Sequence, residues 1–318
     1  MKFLKKLAIE FGYAPKIMAT TSDRAITYYD WGYSTEAGAD SEWFTSFIHK
    51  NFPDLNSTLN FYGVYGKGKF VQRQIEGHKI FFSVENLDRK FTGWNWKFGD
   101  YALPYVDLAM GFGEIDNEKY LRFPLWIKYV FSPTSNQQGI VESVHCLNTT
   151  RYPKTKECAL IAGHDKHGTR SIVYEGLKDL LTIDSAGHWQ NNTTELWDIY
   201  NNDKLAYLRN FKFNICPENV NTNLYVTEKI FEAFAADAIP IYYGSDNQPE
   251  PGIINPEAVI FWNSKGDNAK ARDLITKLKT DELFYQDFIA QPKLLSGAAD
   301  YVYDRYKKLE DRIKNLLK

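Results

Sequence analysis

The stretch Phe211–Ser245, FKFNICPENVNTNLYVTEKIFEAFAADAIPIYYGS, constrains the fold more than any other part of the chain. Phe211, Phe213 and Ile215 alternate with Lys212, Asn214 and Cys216, the period-two pattern of a half-buried strand. A polar loop, Pro217 to Leu224, follows and carries Glu218, Asn219, Asn221 and Asn223. Ile230, Phe231, Phe234, Ala235 and Ala238 then recur at helical spacing, so a helix is expected from near Thr227. The apolar run Ala238–Tyr243 reads as a second strand that ends at Gly244. Strand, helix and strand within about 30 residues make one βαβ unit. Ligands of such units sit at the carboxyl ends of the strands, here the Asn-rich loop and Gly244–Ser245.

Lys229 breaks a rule inside this unit. The first turn of a helix carries partial positive charge, which suits Thr227 and Glu228 and disfavours an ammonium. A phosphate held between the free N–H groups and Lys229 would remove the conflict. So would a side chain that snorkels into water.

The wording of the stretch separates these readings. F-x-x-C-x-E-N, followed by Y-V-T-E-K-I and A-I-P-I-Y-Y-G-S, resembles the donor-binding signature of glycosyltransferase family 10, the α-1,3/1,4-fucosyltransferases. Asn223-Leu224 stands where bacterial members usually have Tyr-Gly, and Pro217 where they often have Phe. The resemblance implies an α/β chain of the GT-B type, with two Rossmann-like domains facing a central cleft. It implies GDP-fucose as donor substrate, held partly by Asn219, Tyr225, Thr227, Glu228 and Lys229.

A chain of 318 residues with 44% apolar content is long enough for two ordinary domains. Ser132–Tyr152 is polar and punctuated by proline, and the pattern restarts at Glu157. This places an acceptor-binding domain over 1–150, a donor-binding domain over 151–290 and an amphipathic tail over 291–318. In the first half, Ala25–Trp31, Lys79–Val84 and Val106–Phe112 read as strands and Ser41–Lys50 as a helix. Gly63, Gly66 and Gly68 have the spacing of neither a dinucleotide nor a Walker loop and read as a turn.

Lys79–Val84 ends at Glu85-Asn86, and Y-L-R-x-P-L follows from Tyr120. That order resembles the N-terminal half of bacterial family members, in which the Glu of the pair is the proposed catalytic base. The resemblance gives that role to Glu85; from the residues alone, a carboxylate closing a turn is the favoured reading, since Glu is mostly exposed. In the second half, Cys158–Ala162, Leu181–Ser185 and Ala258–Trp262 read as strands. Arg170–Leu181, Tyr200–Asn210, Asn268–Lys279 and Asp281–Ala290 read as helices. Arg170 opens a helix after a strand and its loop, a phosphate-facing position. The segment C-A-L-I-A-G followed by R-S-I-V-Y-E-G-L resembles the family's strand–loop–Arg–helix, whose Arg contacts the donor pyrophosphate.

Sugar transfer needs a base for the acceptor hydroxyl, charge stabilisation at the departing diphosphate and in-line positioning. Glu85 would serve the first, and Arg170, Lys229 and the helix start at Thr227 the second. No Asp-x-Asp occurs, Asp116-Asn117-Glu118 being the nearest approach, so metal-independent chemistry is expected. Cys146, Cys158, His164 and His167 have unusual spacing for zinc. His188, beside Trp189, reads as loop structure.

A net charge of −2 gives no electrostatic case for nucleic acid. Three cysteines are an odd, sparse set that suits a reducing compartment. MKFLKKLAIEFGY lacks a signal peptide's apolar run, and no stretch of about 20 apolar residues occurs, so a cytoplasmic setting is expected. In the tail, Val302, Tyr306, Leu309, Ile313 and Leu316 form a stripe on a basic helix. It would dock on the first domain, pair with a second copy or lie peripherally on a membrane. The expected acceptor is an oligosaccharide or lipopolysaccharide-type glycan containing N-acetylglucosamine, α-1,3-linked in the product. Rival readings are an inverting GT-B transferase for another nucleotide sugar and a non-catalytic sugar- or nucleotide-binding protein.

Overall fold

Eleven strands are named in the computed structural model, which describes residues 16–31, 38–66, 70–87 and 98–318. The N-terminal MKFLKKLAIEFGY segment and Gly68 of the glycine-containing turn lie outside the described residues. The chain divides into two units: one runs to Asn136 and also takes Val302–Lys318, the other is Gln137–Tyr301.

In the first unit the strands are β1 (Ile17–Thr20), β2 (Ile26–Tyr29), β3 (Leu59–Tyr62), β4 (His78–Phe82), β5 (Leu108–Gly111) and β6 (Tyr120–Arg122). They lie side by side in chain order; β1 is antiparallel to β2, and β2 to β6 run parallel. β3 and β5 are buried along their whole length, as parallel strands covered on both faces must be. The helix Trp43–Asn51 lays Trp43, Phe44, Phe47 and Ile48 on this sheet. Phe44 stacks on Phe61 at 5.2 Å and meets Phe82 edge-on at 5.1 Å.

The second unit holds β7 (Lys156–Leu160), β8 (Ile183–Ser185), β9 (Phe211–Ile215), β10 (Ile239–Tyr242) and β11 (Ile260–Phe261). All run parallel, in the order β11-β10-β9-β7-β8. The chain lays β8 on one side of β7 and returns to lay β9 on the other. The carboxyl ends of β7 and β9 therefore form a topological switch point, where open α/β sheets take their ligands. Leu160 pairs with Ile215 there, and Ile215 with Ile241.

Several elements are shorter than their apolar patterns suggest. The helix expected over Arg170–Leu181 runs only Thr169–Glu175. Gly176 ends it, and a Cβ there would come within 2.2 Å of the Trp262 ring. The helix expected over Tyr200–Asn210 is Lys204–Leu208, because Asn201 and Asn202 adopt positive φ and Asp203 caps the turn after them. β9 was expected half-buried; it lies between β7 and β10, so Asn214 and Cys216 are buried with the apolar residues.

The unit boundary also differs from the expected residue 150. Polar Gln137–Thr149 is a helix of the second unit that buries Ile140 and Val144. Its Asn148 accepts from the Lys293 and Leu294 amides, each at 2.9 Å, and donates to the Leu294 carbonyl at 3.0 Å. The tail forms the helix Ala298–Leu316, whose residues from Val302 onward belong to the first unit. Val302, Tyr306, Leu309 and Ile313 are buried. Tyr306 meets Trp43 and Phe47 edge-on and donates its hydroxyl to the Ser132 carbonyl. Its apolar stripe is thus spent on the first unit. No described helix is long and apolar enough to cross a membrane.

Candidate active site

The second unit's switch point is lined by Leu160 and Ile161 from the end of β7, Asn214 to Pro217 from the end of β9, Arg170 and Lys229, and the Lys204–Glu232 ion pair. The crevice has about 20 Å³ of free space, the room of a single water site.

Arg170 reaches it from the first turn of the helix Thr169–Glu175. That turn is fixed from outside: Asp165 accepts the Arg170 amide at 3.0 Å, the Ser171 amide at 2.8 Å and the Ser171 hydroxyl. The guanidinium is buried, and its Nη2 donates to the Asn219 Oδ1 at 2.6 Å. Burial lowers its pKa, opposed by Asp165, Glu218 and Tyr225.

Lys229 is the first residue of the helix Lys229–Ala235. Its ammonium donates to the Glu218 Oε2 at 3.0 Å and to the Thr227 hydroxyl at 2.7 Å. Glu218 has no exposed surface. It also accepts the Thr227 amide and the Thr227 hydroxyl, each at 2.8 Å, and the Tyr242 hydroxyl at 3.4 Å. Burial pulls the Lys229 pKa down, but Glu218 and Glu228 outweigh it and hold it above the ordinary lysine range. The cation that appeared misplaced at a helix start is therefore answered within the protein, by a carboxylate eleven residues back. One of the peptide N–H groups expected to stay open for phosphate, that of Thr227, is occupied by the same carboxylate.

Sequence reasoning gave Glu218 no role. The signal was present: an acid two residues past a strand, beside the asparagine of the E-N pair. Its partners Thr227 and Tyr242 come together only in the fold. The Glu218 amide donates to the Tyr243 carbonyl, and the Cys216 amide to that of Ile241, so the chain after β9 stays zipped to β10. Gly244 has φ 156°, and a Cβ there would lie 2.7 Å from the Glu218 side chain. The Asn-rich loop is pinned to the turn behind it, with Asn221 and Asp246 exchanging two hydrogen bonds and the Leu224 amide donating to the Ser245 hydroxyl.

The fold thus joins Arg170, Asn219, Thr227 and Lys229 by hydrogen bonds around Glu218. Tyr225 is buried near Arg170. Glu228 lies 3.9 Å from Lys229. Burial raises the Glu228 pKa, and Lys229 with Lys204 brings it below the ordinary value; burial pushes Glu232 up, against its partner Lys204. Glu85 belongs to the first unit, just past the carboxyl end of β4, where the Tyr65 hydroxyl donates to its Oε1 at 3.1 Å.

No group of three or more His, Cys, Asp or Glu among the described residues could hold a metal ion. Cys158 is buried in β7, and burial raises its thiol pKa. The His188 ring stacks on Trp197 at 6.2 Å.

Two family models match the chain: "Glycosyltransferase family 10 (fucosyltransferase) C-term" over 151–295, and "Alpha-(1,3)-fucosyltransferase FucT N-terminal domain" over 38–129. The chain is 25% identical over 308 residues to the alpha-(1,3)-fucosyltransferase FucT of Helicobacter pylori, covering 87% of this chain and 60% of that one. It is 29% identical over 164 residues to an alpha-(1,4)-fucosyltransferase of Arabidopsis thaliana, covering 51% of this chain and 39% of that one. The chain therefore spans about 60% and 39% of these two relatives' lengths. A crystal structure of an alpha1,3-fucosyltransferase matches with TM-score 0.63 at 22% identity, covering 95% of this chain and 93% of that one. An alpha1,3-fucosyltransferase crystallised with GDP-fucose matches with TM-score 0.56 at 23% identity, covering 84% of this chain and 79% of that one. At these identities the likeness shows the fold, the α/β architecture of the GT-B type.

Proposed function

The chain belongs to glycosyltransferase family 10, and from that premise we propose that it transfers L-fucose from GDP-fucose to a hydroxyl of an N-acetylglucosamine-containing glycan, forming an α-1,3 linkage. The acceptor oxygen attacks the fucose anomeric carbon opposite the departing GDP, so the β-linked donor gives an α-linked product. Glu85 takes the acceptor proton, aided in orientation by Tyr65. Arg170 and Lys229 receive the charge that gathers on the leaving diphosphate. Two fixed cations in a partly dry crevice supply that stabilisation without a metal.

One observation carries the reading: two cations, Arg170 buried and Lys229 half-buried, each already fixed by a neighbour, converge on the β7/β9 switch point. Such pre-organisation spares the reorganisation cost that a flexible surface lysine or arginine would incur. The acceptor class rests on family likeness, and an oligosaccharide or lipopolysaccharide-type glycan fits it.

The test is turnover. Purified protein is supplied with GDP-fucose, GDP-mannose or UDP-sugars and with Galβ1-4GlcNAc, Galβ1-3GlcNAc or GlcNAc, and the product linkage is determined. Fucose transfer from GDP-fucose, at a rate unchanged by chelator, is the expected result. Turnover of another nucleotide sugar with none of GDP-fucose would overturn it.

A further inference from the structure

We propose that Glu218 is the positioning residue of Lys229, and that with Asn219 it forms a two-residue clamp setting the distance between the two cations of the donor site. Adjacent residues each take one cation: Glu218 holds the Lys229 ammonium at 3.0 Å, and Asn219 holds the Arg170 guanidinium at 2.6 Å. One peptide bond therefore fixes the separation of groups that arrive on two different helices.

The clamp is itself immobilised. The Glu218 amide is tied to β10, its carboxylate is fully buried, and Gly244 packs directly against its side chain. Thr227 relays the hold, donating its hydroxyl to Glu218 and accepting from Lys229. Glu218 thus uses two of the three ammonium protons, one directly and one through Thr227. Glu228, 3.9 Å away, is beyond hydrogen-bond reach, so the third proton can serve a ligand.

A buried carboxylate beside a diphosphate site also repels the diphosphate. The cost is outweighed if Lys229 would otherwise swing out or lose its proton, since burial alone works against the charged form. That balance makes the proposal falsifiable. It rests on the donor-site reading given above, so wild-type affinity for guanosine diphosphate is measured first by titration calorimetry. Absence of wild-type binding overturns both readings together.

With wild-type binding established, Glu218→Gln is titrated with guanosine diphosphate alone and on a Lys229→Met background. Glu218→Gln keeps the shape and removes the charge. Expected are an affinity loss of about tenfold in the single variant and a change within about twofold when Lys229 is already gone. The alkaline limb of binding should also move to lower pH in Glu218→Gln, because Lys229 has lost its main counter-charge. A general structural defect would lower affinity equally on both backgrounds and leave that limb in place. Equal losses on both backgrounds, unchanged affinity or tighter binding by Glu218→Gln would each overturn the proposal while leaving the donor site intact. Should Glu218→Gln fail to fold, Thr227→Val removes the relaying hydroxyl and is held to the same coupling and pH criteria.

Discussion

Glu85 is a carboxylate just past the end of a parallel strand, and the Tyr65 hydroxyl donates to its Oε1. As the proton acceptor it should matter for turnover and not for the donor, whose proposed binding groups lie in the other unit. Glu85→Gln is expected to lower kcat by roughly a hundredfold or more while guanosine diphosphate affinity stays within about twofold. Steady-state rates beside calorimetry check this; equal falls in rate and affinity would remove Glu85 from the role. Arg170 and Lys229 were visible in the sequence as cations at helix starts, and Asn219 through the family resemblance. Glu218 was not, since a buried acid is defined by its donors. Those donors, Thr227, Lys229 and Tyr242, become neighbours only when β9 and β10 pair.

At the scale of elements, β3 and β6 carry no strand reading in the sequence and β7 is placed two residues late, whereas the helices Ala269–Thr280 and Glu282–Ala290 are placed to within one residue. Glycine packing against Trp262 ends one helix early, a contact set by a later part of the chain, and two positive-φ asparagines delay the start of another. Asp165 anchors the start of the helix that carries Arg170. Burial raises its pKa, but Ser171 and the Arg170 amide bring it below the ordinary aspartate range. Its stabilisation is thus complete above that range and is lost as pH falls through the depressed value. Asp165→Ala is expected to cost about 1 kcal/mol at neutral pH and progressively less in acid, read by denaturant melts.

The opposite ends of two neighbouring helices share another anchor. The Lys154 ammonium donates to the carbonyls of Arg209 and Ala236, the residues that close Lys204–Leu208 and Lys229–Ala235. Burial pushes its pKa down to about 8, with Asp237 opposing. Between that value and the ordinary lysine pKa the unfolded chain binds more protons than the folded one, so stability rises with pH there. Lys154→Met is expected to flatten that rise in melts taken from pH 7.5 to 10; an unchanged slope would contradict it.

For the whole molecule, the two-unit α/β plan could be read from length and from the restart of strand patterning. The boundary could not, because Gln137–Thr149 looks polar and reveals its allegiance only through Ile140, Val144 and the hydrogen bonds of Asn148. The tail's stripe was visible in the sequence, and its partner, the Trp43–Phe47 surface, was not. Tyr306→Ala is expected to destabilise the first unit by about 3 kcal/mol, seen as earlier loss of its hydrogen-exchange protection. Loss confined to the second unit would contradict the packing of Tyr306 against Trp43 and Phe47.

The return of Val302–Lys318 to the first unit also sets a timetable for biosynthesis. Domains generally fold in the order in which they leave the ribosome, at about 5–20 residues per second. Here the unit made first lacks its closing helix until all of the unit made second has emerged. For roughly ten seconds or more the aromatic seat of Tyr306 stands uncovered, a window in which a chaperone or a neighbouring nascent chain could reach it.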